Sequence, residues 1–183
     1  MDDQTFESTL GAARAGSEWA WRDLYGEIAP PVLGFLRARG VADPDDLGAE
    51  VFVQIVRDLP RFEGDWRGFR AWVFAIARNR LLDERRRHAR RPEVPLAEPA
   101  EVPQPVGDVA EEALAGLEID RVAAILAELS PDQRDVVLLR VIGDLSIEEV
   151  ARVVGKRTGA VKQLQRRGLA AARKVLEHEQ ARI

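Results

Sequence analysis

The chain has 183 residues, 46% of them hydrophobic, and a formal net charge of −4, which is enough apolar content for one ordinary domain or two small cores. It contains no cysteine, so disulfide frameworks, thiolate metal sites and cysteine nucleophiles are excluded together. The acidic start Met1-Asp2-Asp3 does not read as a secretory signal, and the longest uncharged stretch, near Ile28 to Leu36, is too short to span a bilayer. The reading is of a cytoplasmic chain that does not span the membrane. Ala, Leu, Arg and Glu dominate, which favours helix over strand and predicts an all-α fold.

Near the N-terminus Phe6, Leu10 and Ala13 fit one amphipathic helix that covers a core. Trp19, Trp21, Leu24, Ile28, Val32, Phe35 and Leu36 then recur at helical spacing as packing residues, with Pro30-Pro31 expected to bend or interrupt the run. Asp43 as N-cap and Pro44 at the first helical position open a second helix, which continues through Leu47, Val51, Phe52, Ile55, Val56 and Leu59. Its opposite face carries Asp46, Glu50, Gln54 and Arg57. Arg61 to Gly68 reads as a polar, glycine-containing loop, and a long helix is expected from about Phe69. Along it Phe69, Trp72, Val73, Ile76 and Leu81 form an apolar stripe, while Arg70, Arg78, Arg80, Arg86, Arg87, Arg90 and Arg91 fill the remainder.

Between Pro92 and Glu118 stand five prolines and seven acids with no Lys or Arg, a composition that reads as an extended linker. The expected organisation is two small helical domains, residues 1–91 and 118–183, joined by an acidic Pro-rich linker over 92–117. The second unit reads as four short helices. Ile119, Val122, Leu126 and Leu129 mark the first; Ser130-Pro131-Asp132-Gln133 caps the second, which Gly143 ends; Ser146 to Glu149 is a capping box for the third, which Gly155 closes; Thr158 begins the fourth.

The net charge hides a segregation. Arg67 to Arg91 holds nine Arg against Asp83 and Glu84, a net of +7, and Arg152 to Lys174 holds eight Lys or Arg and no acid, a net of +8. Two basic patches thus stand on an acidic background. The C-terminal one coincides with the spacing of a helix-turn-helix, with Ala151 at the helix approach, Gly155 in the turn, and Val150, Val154, Val161 and Leu164 facing inward. Outward lie Arg157, Thr158, Gly159, Lys162, Gln163, Arg166 and Arg167, donors suited to phosphates and purine edges. The first patch combines Trp66, Phe69, Trp72 and Phe74 with arginines, a combination that stacks single-stranded bases while neutralising their phosphates; Phe69 and Trp72, at i and i+3, also fit a plain packing role. His88 and His178 read as solvated surface, and no phosphate loop or nucleophile motif is present. Catalytic residues, metal, cofactor and small-molecule substrate are therefore not expected.

From about Trp19 to Leu176, linker excluded, these residues resemble the extracytoplasmic-function (ECF) sigma factors of bacterial RNA polymerase. Asp43-Pro44-Asp45-Asp46-Leu47 through Glu50, Phe52 and Leu59-Pro60-Arg61-Phe62 is similar to that family's core-binding region. Phe69 to Asn79 with its Arg tail resembles the part that melts and reads the −10 element. Leu129 to Arg140 and Leu145 to Ala151 resemble the region that binds the −35 element and the β flap. The resemblance implies docking on the β′ coiled coil of core RNA polymerase through Asp46, Glu50, Val53, Gln54 and Arg57. It implies −10 contacts at Trp66, Arg67, Arg78, Asn79, Arg80, Asp83, Arg86 and Arg87, and −35 contacts at Arg157, Thr158, Gly159, Lys162, Gln163, Arg166 and Arg167. Promoter DNA and an anti-sigma factor are the further partners it implies. The competing reading is a helix-turn-helix regulator that acts without polymerase docking and binds duplex DNA alone.

Overall fold

The structure, a computed structural model, describes residues 1–89, 122 and 125–180, with backbone only at 179 and 180. The expected linker, Arg90, Arg91 and most of the helix expected from Ile119 lie outside the described residues. Every element among the described residues is helical, as expected: α1 (Asp3–Arg14), α2 (Glu18–Ala38), α3 (Pro44–Asp58), a 3-10 turn (Leu59–Arg61), α4 (Trp66–Ala89), α5 (Pro131–Val141), α6 (Ile147–Val154) and α7 (Thr158–Gln180).

Asp2 caps α1 by accepting from Thr5 N at 2.8 Å, and the helix buries Phe6, Leu10 and Ala13, the stripe its spacing predicts. α2 departs from expectation, because it runs unbroken through Pro30 and Pro31. The two missing N–H donors leave the carbonyls of Gly26 and Glu27, both on exposed residues that water can serve. Buried Leu24, Ile28, Val32, Phe35 and Leu36 hold the helix to the core on both sides of the proline pair. Trp19 is half exposed, a correction to its reading as a packing residue. It lies one residue, about 100° of helical turn, from Ala20, and Ala20 with Leu24 four residues on defines the buried stripe.

α3 starts as its sequence dictates, with Asp43 accepting from Asp46 N at 2.9 Å and Pro44 in the first turn. Leu47, Val51, Ile55 and Leu59 are buried, but Val56 points outward with 52% exposure. α4 begins at Trp66, not Phe69. Asp65 is the cap that the loop reading overlooked; its side chain accepts from Gly68 N at 2.7 Å and its carbonyl from Phe69 N at 2.9 Å. The helix threads the core with Phe69, Val73, Phe74, Ala77 and Leu81 nearly or fully buried. Each of the larger side chains contributes about 1.5–3 kcal/mol.

In the C-terminal half the capping box of α5 closes reciprocally, Gln133 N to Ser130 Oγ at 3.3 Å and Ser130 N to Gln133 Oε1 at 2.9 Å. That of α6 does the same, Glu149 N to Ser146 Oγ at 3.2 Å and Ser146 N to Glu149 Oε2 at 2.6 Å. Gly143 permits the turn after α5, since a Cβ there would lie 2.5 Å from the Leu139 carbonyl oxygen. Gly155 ends α6 at φ +67°. α7 spans 23 residues, far longer than the short helix expected. Val150, Val154 and Val161 are buried between α6 and α7 as the helix-turn-helix spacing predicts. The two halves also pack on each other, α6 against α4 and α5 against α2.

Ser146→Ala removes one half of a capping box whose Glu149 is 8% exposed. It is expected to cost about 1–2 kcal/mol, read as a lower urea midpoint at unchanged slope.

Candidate nucleic-acid and polymerase interface

The surfaces picked from sequence fall into three zones. On α3, Asp46, Val53 and Arg57 are exposed, and Glu50 and Gln54 half-buried. Val53 and Val56 are each more than half exposed, and the Tyr25 ring packs on Phe52 with centroids 4.6 Å apart while remaining 53% exposed. This is an apolar patch edged by Asp46, Glu50 and Gln54, the composition of a protein-docking face. Sequence reading named Val53 but missed Tyr25 and took Val56 as core. The signal available was an α3 with more apolar residues than one buried stripe can hold.

The second zone is α4. Here Glu50 and Gln54, expected to face a protein, meet arginines expected to face DNA. Arg80 Nε donates to Gln54 Oε1 at 2.9 Å, Arg80 Nη1 stands 3.5 Å from Glu50 Oε2, and Arg87 Nη2 stands 3.6 Å from the same oxygen. Two sites read as separate are one continuous surface across α3 and α4. Asn79, Asp83 and Arg86 join Gln54, Arg80 and Leu82 around an open depression of about 520 Å³. Arg86 Nη1 pairs with Asp83 Oδ1 at 3.2 Å, an exposed i,i+3 pair. Arg67, Asn79, Arg86 and Arg87 are exposed.

Trp66 is a correction. It is 8% exposed, with its ring 5.5 Å from Phe6 and 5.8 Å from Phe69, and Arg70 covering it at 5.9 Å. No open face is left for a nucleobase. Once Asp65 starts the helix at Trp66, the residue stands at i−3 from Phe69 and joins the stripe under α1. Arg78 is also largely covered, at 14% exposure, by the C-terminal half.

The third zone is the exposed face of α7. Arg157, Thr158, Gly159, Lys162, Gln163, Arg166 and Arg167 are all exposed, repeating at three and four residues along one side. Lys156 is withdrawn from this set by its pair with Asp132 at 2.9 Å. α7 begins immediately after the turn, so its first backbone N–H groups and positive dipole end point the same way as Arg157. Among the described residues no three His, Cys, Asp or Glu are placed to hold a metal ion, and no helix is long and apolar enough to cross a membrane.

A helical unit with a charged docking face and a basic helix, followed by a helix-turn-helix, is the division of a sigma-70-type transcription factor. Family models of Sigma-70 region 2 and Sigma-70 region 4 match residues 24–91 and 119–171. The chain is 33% identical over 190 residues to the ECF RNA polymerase sigma factor ShbA of Streptomyces griseus, covering 96% of this chain and 98% of that one. The fold matches CnrH of Cupriavidus metallidurans, solved in complex with the cytosolic domain of CnrY, at a TM-score of 0.67 and 24% identity over 93% of this chain and 96% of that one. It also matches the sigma factor RpoE of Bartonella quintana, solved with the anti-sigma factor NepR, at a TM-score of 0.64 and 20% identity over 86% of this chain and 96% of that one. The chain belongs to the ECF RNA polymerase sigma factors. Its function is that of a sigma factor, binding core RNA polymerase and directing initiation at promoters.

Trp66→Ala is expected to lose about 3–5 kcal/mol of stability, whereas Arg67→Ala stays within about 0.5 kcal/mol. Urea denaturation of the two variants separates the core residue from the surface one.

Proposed function

We propose that residues 1–91 form the unit that docks on polymerase and opens the −10 element, and that residues 118–183 form the unit that reads the −35 element. The observation that carries this division is the continuity of the α3 docking face with the α4 basic face through Glu50, Gln54, Arg80 and Arg87. Docking α3 on polymerase then sets where α4 meets DNA. In this assignment Asp46, Val53, Val56 and Arg57 contact polymerase. The depression lined by Asn79, Arg80, Asp83 and Arg86 receives an unstacked base, and Arg67 and Arg87 neutralise the neighbouring phosphates.

On the −35 side, α7 lies in the major groove. Lys162, Gln163, Arg166 and Arg167 contact base edges and phosphates, and the helix start at Arg157, Thr158 and Gly159 meets the backbone. The protein carries no catalysis of its own and acts in the cytoplasm. The docked relatives point to an anti-sigma factor as the partner that withholds it from polymerase.

Glu50→Arg is a poor probe, because it would place a third cation beside Arg80 and Arg87. The double variant Asp46→Arg, Val53→Asp changes exposed positions only and is expected to abolish capture of core polymerase in a pull-down while leaving the thermal midpoint unchanged. Retained capture sinks the α3 assignment. Lys162→Ala and Arg166→Ala are each expected to keep polymerase binding and to weaken promoter binding by about 1–3 kcal/mol, measured by titrating the holoenzyme on a promoter fragment. Loss of polymerase binding by these two variants would contradict the division of labour.

A further inference from the structure

Asp135 of α5 is a carboxylate at 4% side-chain exposure, placed between two arginines from the other half of the chain. Arg39 Nε, at the end of α2 and 2% exposed, stands 2.9 Å from Oδ1. The approach lies off the N–H axis, so it is an ion contact without a hydrogen bond. Arg78 Nε of α4 donates to Oδ2 at 2.9 Å. About two turns toward the start of α4 the pattern repeats at the surface, where Arg70 Nη1 meets Asp144 Oδ2 at 3.2 Å and Arg70 Nη2 donates to the Gly143 carbonyl at 2.6 Å. Burial pulls the Arg39 guanidinium down to about 10 against the opposing pull of Asp135, so at neutral pH it remains a cation whose buried counter-charge among the described residues comes from α5.

These contacts join α5 and the α5–α6 turn to the helix assigned to −10 DNA. A carboxylate held by a guanidinium matches what a DNA phosphate offers the same group. The closed pose is also too small for its task. Elements centred 25 base pairs apart are separated by roughly 85 Å of duplex at about 3.4 Å per base pair. A compact chain of this length has a radius of gyration of about 16 Å, and so a diameter near half that distance. A molecule reading both elements has released Asp135 from Arg39 and Arg78.

We propose that Asp135 and Asp144 form an internal latch, acting as phosphate mimics that mask Arg70 and Arg78 and hold the free protein closed until polymerase and promoter DNA displace them. The masking rests on the assignment of α4 to DNA; the closure does not. Any docked pose that strips Asp135 away leaves Arg39 buried and alone, so loss of the Asp135 charge favours separation of the halves over retention of the pose.

The absence of native cysteine lets dyes be placed at Glu63→Cys and Arg173→Cys in the full chain, reporting the distance between the halves by energy transfer. Wild type is expected to show one high-transfer population. Asp135→Asn is expected to raise the open-to-closed ratio on the order of a hundredfold. It should also steepen the log–log salt dependence of binding to a twelve-nucleotide thymidine strand by about 1.4, for two arginines released at about 0.7 each. Should Asp135→Asn fail to fold by circular dichroism, Arg70→Gln with Arg78→Gln weakens the latch from the less buried side, at 21% and 14% exposure, and is expected to lower transfer in the same way. Unchanged transfer in a folded variant, or low transfer in wild type, overturns the latch. Opening without any change in thymidine binding overturns the masking and places the failure in the α4 assignment, not in the closure.

Discussion

The arrangement of the two halves turns on one buried negative charge. Asp135 is removed from water, and Arg39 and Arg78 stand 2.9 Å from it on either side. Such a group contributes little net stability, since stripping water from three charges offsets most of their attraction. Its effect is on pose. Apolar surfaces tolerate sliding by an ångström or more, but a carboxylate between two guanidinium groups does not, because each displacement leaves a buried charge without its partner. Arg70 extends the constraint by reading the turn between α5 and α6 through Gly143 and Asp144.

α4 is where these constraints meet. Successive residues on a helix point about 100° apart, so one 24-residue element can serve several surfaces without conflict. Phe69, Val73, Phe74, Ala77 and Leu81 fix it in the core, and Phe74 meets Phe35 of α2 edge-on at 5.8 Å. Arg80 and Arg87 lean on Glu50 and Gln54 of α3, while Arg70 and Arg78 reach across to the C-terminal half. The aromatic group of Phe6, Phe62, Trp66, Phe69 and Trp72 anchors its first turns under α1. A basic helix so held is rigid, and if α4 meets DNA as proposed, rigidity lowers the entropy lost on binding.

The overall acidity fits this economy of charge. Nine arginines concentrated between Arg67 and Arg91 would bind any nucleic acid if all were free, since phosphate contacts carry no sequence information. In the closed pose carboxylates from α3, α4 and the C-terminal half engage Arg70, Arg78, Arg80, Arg86 and Arg87. On the proposed assignment, DNA that displaces them must replace each pair with a better one, which favours a polymerase-positioned promoter over random sequence.

The sequence by itself determined what depends on neighbours within a turn or two. Asp43-Pro44, Ser130 with Gln133, Ser146 with Glu149, and Gly155 set their helix ends by local hydrogen bonds and backbone freedom, and each does in the structure what its spacing dictates. The helix-turn-helix and its seven exposed donors were legible for the same reason, as was the family from its motifs. Trp66 was misplaced because the cap at Asp65 went unread, although the signal was there. Pro30-Pro31 misled because local propensity yielded to the core contacts that hold α2 together on both sides. Only the tertiary structure decided that Glu50 and Gln54 share a surface with Arg80 and Arg87, and that Asp135 lies between Arg39 and Arg78. Asp135 is separated by 57 residues from Arg78, and in sequence it is one acid among 31. Its meaning comes from burial, and burial is set by how distant helices stack.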